Sequence, residues 1–360
     1  AGMNFANDFG EAIETSADYF YSGANSFNET DRVRENILPD NRFTSISDSR
    51  TDSNTDNHSA NLRFQAEIDS TFMVEFRPSL NYTLGTNSSS GSSVTTNEAG
   101  DLVNDSEYDN FNDRTTRNLS NRLTATKRYG EKGGFIRING NLQLDETESI
   151  DFTNSETNVY GTDASQILRN QRTDGDNNTD GITTNVKWRI PLISKKLFLE
   201  TEYEFKNENR TNTQLVYDFD AASQSYNQLI TPQSTDFEST NRSHKPQFGV
   251  SYNSKKLRGS INAAYVARKL TGEDLLTDET GNRVRDIDFE NNFNALEATA
   301  RLNYNFTQKL SYLWLHHRTL SAGYIQFRKS LLLFTSKNVV PVPGGCHYTF
   351  LPQDFSQLFQ

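Results

Sequence analysis

The sequence predicts an all-β protein, an antiparallel up-and-down sheet of about ten strands that forms part of a transmembrane β-barrel. Three observations predict it. Apolar and polar residues alternate strictly in run after run; tight turns recur near residues 70, 132, 194, 254 and 308; and the stretches between successive hairpins are long and rich in Asn, Asp, Ser, Thr and Gly. Short turns at one end and long connections at the other are the pattern of outer-membrane barrels, with short periplasmic turns and long extracellular loops.

Each strand follows from its period. A turn at Asn7-Asp8-Phe9-Gly10 leads into a strand carrying Tyr19 and Tyr21. Over 60–68, Ala60, Leu62, Phe64, Ala66 and Ile68 share one face and Asn61, Arg63, Gln65 and Glu67 the other. After Asp69-Ser70-Thr71 the next run sets Phe72, Val74, Phe76, Pro78, Leu80, Tyr82 and Leu84 against Glu75, Arg77, Ser79, Asn81 and Thr83, so the two runs make a hairpin. The hairpin recurs at 119–129 with 136–144, at 182–192 with 197–205, and at 246–252 with 257–267. A last alternating run, 296–306, ends at Thr307-Gln308-Lys309. The connections 27–57, 86–114, 146–180, 219–235 and 271–283 are expected to be loops. Aromatics beside the short turns (Phe72, Tyr129, Phe135, Phe198, Tyr252, Tyr304, Phe306) and further along (Tyr82, Tyr203, Phe205) would form two interfacial belts.

Composition narrows the function. Only 34% of the 360 residues are hydrophobic, which argues against a large dry core. The net charge of −11 makes nucleic acid a poor partner. A single cysteine, Cys346, permits no internal disulfide and no thiolate zinc cluster. No apolar run reaches the length of a transmembrane helix, but a spanning strand needs only about 9–11 residues, every second one apolar. Neither a basic nor an apolar leader region is visible at the start, so no signal peptide is expected. A soluble β-sandwich is the competing fold, and it gives no reason for every other connection to be long. The polar faces bear Arg63, Glu67, Glu75, Arg77, Arg137, Lys187, Arg189, Glu200, Glu202, Glu204, Glu297 and Arg301, a mixed-charge lining suited to a wide hydrated lumen.

The phrases Ser59-Ala60-Asn61-Leu62-Arg63-Phe64, Asp69-Ser70-Thr71 and Phe76-Arg77-Pro78-Ser79-Leu80-Asn81-Tyr82 resemble the barrel of the TonB-dependent-receptor-like outer membrane β-barrel family of Bacteroidota. The stretch from Glu297-Ala298-Thr299 through Asn303-Tyr304-Asn305-Phe306 is similar to a later strand of those barrels, and the resemblance covers about 10–312. It implies a barrel of about 22 strands, an N-terminal plug, and ligand uptake driven by an inner-membrane energy-coupling complex, in the outer membrane of the cell. This chain shows neither plug nor coupling box and about half the strands, as an internal fragment would. Residues 1–312 read as the barrel segment and 313–360 as an atypical tail. The tail holds one acidic residue, Asp354, and three of the five His, and its alternation is expected to end; codons for His316 to Leu320 read one nucleotide on permit Thr-Thr-Glu-Pro-Ser, so a shifted frame is the plain reading.

One stretch has metal-ligand spacing. Asp176, Asn178, Asp180 and Gly181 match the first half of a calcium loop, in which alternating oxygens wrap a hard cation; the twelfth position is Lys187 instead of Glu. No other cofactor is expected. His316 and His317 are adjacent on a strand and so point to opposite faces. Glu200, Glu202 and Glu204 bring carboxylates onto one face, which reads as lumen lining, and Gly133-Gly134 reads as a turn. With no nucleophile constellation the chain is expected not to be an enzyme. Ligand uptake with outer-membrane lipid as a partner is the leading reading. A structural or adhesive surface protein binding partners through its polar loops is the alternative, and a barrel-rim hydrolase is disfavoured because no His and Asp share a strand end.

Overall fold

The computed structural model describes residues 1–38, 41–278, 280–307, 310–321 and 324–335, with side chains through Tyr304. Among the described residues there are fourteen strands: β1 (Gly2–Phe9), β2 (Ile13–Ile37), β3 (Arg42–Asp69), β4 (Phe72–Asn97), β5 (Leu102–Tyr129), β6 (Gly134–Val159), β7 (Ser165–Ile193), β8 (Leu197–Asp220), β9 (Ser225–Leu229), β10 (Thr235–Asn253), β11 (Leu257–Asp274), β12 (Phe289–Thr307), β13 (Leu310–Ser321) and β14 (Tyr324–Thr335). Each pairs antiparallel with the next in one sheet, except that β10 lies beside β8 and the short β9 pairs with β8 off the main path. The sole helical element described is the 3-10 turn Thr231–Gln233. The fold is an all-β, antiparallel up-and-down meander. Its edges among the described residues are β1 and β14, so the sheet is open.

The ten predicted strands are all present, as β2 to β8 and β10 to β12, and β1, β9, β13 and β14 add to them. The tight turns are built as their residues require. Asp69 Oδ1 accepts from the Thr71 amide at 2.7 Å and from its hydroxyl at 2.6 Å, closing the β3–β4 turn. Between β5 and β6 the chain needs left-handed backbone twice, and Gly130 (φ 60°) and Gly133 (φ 83°) supply it.

The polar connections differ from expectation. Most of 27–57, 86–114 and 146–180 is not loop; β2 to β7 run on to 25–29 residues each and the reversals shrink to a few residues. Backbone ladders pair regardless of side chain, and small polar side chains here bond across strands: Ser92 Oγ donates to Asp48 at 2.6 Å and Thr83 Oγ1 to Asn57 at 2.9 Å. The long excursions thus remain at one end, as paired hairpin instead of coil. Pairing also continues past Leu313, where alternation was expected to stop, because β13 and β14 keep an unbroken backbone register. Residues 336–360, with Cys346, lie outside the described residues.

Almost nothing is dry. Buried apolar residues among the described ones are Phe198, Val216, Ala264 and Leu276. Accessible surface totals 25495 Å², against roughly 15,000 Å² for a compact soluble monomer of this mass. A small packed cap near the ends of β8, β10 and β11 accounts for Val216 and Leu276; there Arg285 pairs with Asp274 at 2.9 Å and donates to the Ser234 carbonyl at 2.8 Å.

Candidate functional site

Register turns the alternation into two continuous faces. One cross-strand row on the apolar face reads Ile13, Ala66, Val74, Ala125, Ile138, Val186 and Tyr203. Another reads Ile190, Leu199, Val250, Ile261 and Ala300. Among the described residues nothing covers them: Ile261 is 69% exposed and Phe248 63%. The band is limited in height. On β4 it runs from Phe72 to Tyr82, about 35 Å along the strand, or about 25 Å at the tilt of roughly 45° usual in barrels. The next row, Asp56, Leu84, Thr115, Glu148, Asp176 and Thr213, is largely polar.

Aromatic side chains with polar tips stand at both margins. At the short-turn margin the Trp188 indole N–H donates to the Tyr129 hydroxyl at 2.8 Å, and that hydroxyl donates to the Arg189 carbonyl at 2.6 Å. At the far margin Tyr19 meets His58 Nδ1 at 2.6 Å and Tyr203 meets His244 Nδ1 at 2.7 Å. Two residues expected in the near belt lie elsewhere. Phe135 pairs with Arg189 and Phe198 with Ser251, both on the wet face, where the Arg189 guanidinium sits 5.0 and 4.9 Å from their ring centroids. Their parity was legible, since each neighbours an apolar-face residue, Ile136 and Leu199; proximity to the turn obscured it.

On the wet face within the band, charges that are far apart in sequence neutralise one another. Arg63 lies 3.1 Å from Glu75, which also binds Arg77. Glu200 is held by Lys187 at 2.9 Å, Arg189 at 2.7 Å and the Ser251 hydroxyl at 2.8 Å; Glu202 receives Lys187 at 3.6 Å and the Asn185 amide at 2.6 Å. Lys245, absent from the lining read in the sequence, meets Glu297 at 2.7 Å. The Glu200, Glu202, Glu204 row is therefore interleaved with cations from β7 and is not a bare carboxylate stack. Arg137 bonds Thr126, and Glu67, Glu204 and Arg301 have no ion pair among the described residues.

Beyond the far margin the faces exchange character. The wet face of β3 continues as Ser45, Ser47, Ser49, Thr51, Ser53, Thr55, Asn57 and Ser59, without a charge, while the other face carries Asp48, Arg50, Asp52 and Asp56. On β5 that other face carries Asp105, Glu107, Asp109 and Asp113.

The calcium candidates straddle this boundary, Asp180 in the row of Leu144 and Leu119 and Asp176 two rows beyond it. Asp176, Asn178 and Asp180 lie on one face of β7, opposite Glu148, Glu146 and Leu144, and the Asn178 amide donates to Asp176 at 2.9 Å. The backbone there is extended instead of curled, and Lys187 faces the opposite side, so the calcium-loop conformation that the spacing suggested is not formed; a strand alternates its oxygens along a line and cannot wrap them round a point. Among the described residues no three His, Cys, Asp or Glu come together to hold a metal. His317 and His316 register with Thr299 and Ala300 on β12.

No protein-family model matches the chain, and no curated protein matches it. Among solved structures the chain is similar to the β domain of the Bordetella autotransporter BrkA, at 12% identity and TM-score 0.29 over 89% of this chain and 97% of that one. It is also similar to the transport unit of the autotransporter AIDA-I from Escherichia coli, at 11% identity and TM-score 0.27 over 92% and 94%. A third is the translocator domain of the autotransporter NalP from Neisseria meningitidis, at 10% identity and TM-score 0.23 over 88% and 85%.

Proposed function

We propose that this sheet is a wall of an outer-membrane β-barrel, its apolar band facing lipid and its wet face lining a lumen, and that it serves ligand uptake of the kind implied by its resemblance to TonB-dependent-receptor-like barrels. The observation that carries the reading is the band itself: apolar on one face only, about 25 Å tall, bounded on both sides by hydrogen-bonded Tyr, Trp and His. Water cannot be the solvent of that face at such exposure without a large cost per side chain, and lipid removes the cost. The mixed-charge wet face supports passage of a polar solute, and a plug and an energy-coupling complex are the partners that uptake requires. The protein carries out no bond chemistry in this reading.

The test is fractionation in a host with an outer membrane. Joined to the further strands that its open edges need, the protein should sediment with outer membranes and resist carbonate extraction; recovery in the soluble fraction overturns the reading. Uptake is tested apart from insertion: flux into intact cells should collapse when the proton-motive force is dissipated. The adhesive reading draws on a separate observation, strands that run far past the band.

A further inference from the structure

We propose that the acidic outer side of the far wall is a docking surface for a cationic protein. One cross-strand row there reads Phe27, Asp52, Ser88, Phe111, Phe152, Arg172 and Tyr217. It lies eight residues beyond Ala60, the last apolar row of β3, which is about 26 Å along the strand and clear of the band. Phe27 is 68% exposed and Phe111 40%; the rings of Phe111 and Phe152 lie 6.5 Å apart, and Tyr226 extends the row against Phe152 at 5.5 Å. Exposed aromatics in line on a wall otherwise made of Ser, Thr, Asn and Asp are what an interface core requires.

Charge selects the occupant. Asp109 and Asp113 flank Phe111 on its own strand and face, exposed and without ion pairs among the described residues. Arg172 in the row and Arg50 in the next are already committed, Arg50 to Glu29 at 2.6 Å and Asp52 at 2.7 Å, and Arg172 to Asp174 at 2.7 Å. A positive partner therefore finds carboxylates to pair with and rings to cover, whereas an anionic lipid or polymer meets like charge beside the rings. The chain contains the contact in miniature, for the Arg50 guanidinium already sits 5.4 Å from the Phe27 ring centroid.

The experiment uses the full chain in proteoliposomes, reconstituted as edge-to-edge oligomers in which neighbouring copies pair its open edges, with lysozyme as a cationic probe, acetylated lysozyme as its neutralised control and dextran as a glycan probe. Lysozyme should bind about tenfold more tightly than its acetylated form, and Phe111→Ser with Phe152→Ser should weaken it about fivefold, as should Asp109→Asn with Asp113→Asn. Binding indifferent to the aromatic pair, or dextran binding that depends on it, overturns the proposal. Accessibility rests on the membrane reading, so Phe111→Cys in a Cys346→Ser background is labelled with an impermeant maleimide. An unlabelled cysteine overturns both readings; a labelled one with unchanged lysozyme binding overturns the docking surface alone.

Discussion

Val74 and Asn81 lie on the same strand and differ only in parity, yet they belong to different solvents. Val74 is flanked across the sheet by Ala66 and Ala125 within the band, whereas Asn81 pairs with Ser59 and Asn118 on the wet face. Val74→Arg should cost about 2–4 kcal/mol if the residue lies near the bilayer midplane and less toward the interface, while Asn81→Arg should be mild. Unfolding in urea with lipid or detergent present reads the difference, and equal costs would count against a lipid boundary. At this scale much was legible, because period 2 assigns a face to every residue of an alternating run. What parity cannot give is a partner: Glu200 meets Lys187 and Arg189 only through the register of β7 with β8.

The segments between strands divide by how their polar groups are used. In 275–288 the Asp278 carboxylate accepts from the Thr280 amide at 2.9 Å, the Thr280 hydroxyl at 2.6 Å and the Asn282 amide at 2.9 Å. Those bonds, the hydroxyl's first, hold its pKa below the usual carboxylate range. A depressed folded pKa means stabilisation that is present above the unfolded value, near 3.9, and lost as pH falls through the lower folded value. Hydrogen exchange at 274–289, corrected for intrinsic rates, should be flat from pH 8 to about 5 and rise below about 4; Asp278→Asn should exchange faster at neutral pH and lose that acid dependence. The tight turns were readable because Asp, Gly and Ser do local work there. The polar hairpins were not, since Ser, Thr and Asn favour loops by local bonding and are drawn into strands only by a partner strand many residues away.

At the scale of the whole molecule, the deciding feature among the described residues is an open sheet. β1 covers residues 13–20 of β2 and Ala1 bonds the Tyr21 backbone, so the rest of that strand, from Ser22 through Ile37, presents an unpaired edge among the described residues. Unpaired backbone groups in lipid cost several kcal/mol each, so a wall of this kind needs further strands at its edges to stand in a membrane. Alone in detergent the chain should form edge-to-edge oligomers or aggregates and give no heat-modifiable monomer band; a monomer that folds and supports flux in liposomes would show that the sheet closes on itself.

The sequence by itself determined the class of fold, the existence of ten strands, the face of each residue in an alternating run and the end at which the turns are short, because alternation and turn chemistry are local properties of neighbouring residues. It also determined that no large dry core is possible. Tertiary structure alone decided where the strands stop, that Phe135 and Phe198 clasp Arg189 on the wet face, that the calcium-like spacing lies along an extended strand, and that the aromatics of β2, β5, β6 and β8 fall into one row. Each of these depends on which residue sits opposite which across a hydrogen-bonded pair, and that register is set by strands up to tens of residues apart in the chain.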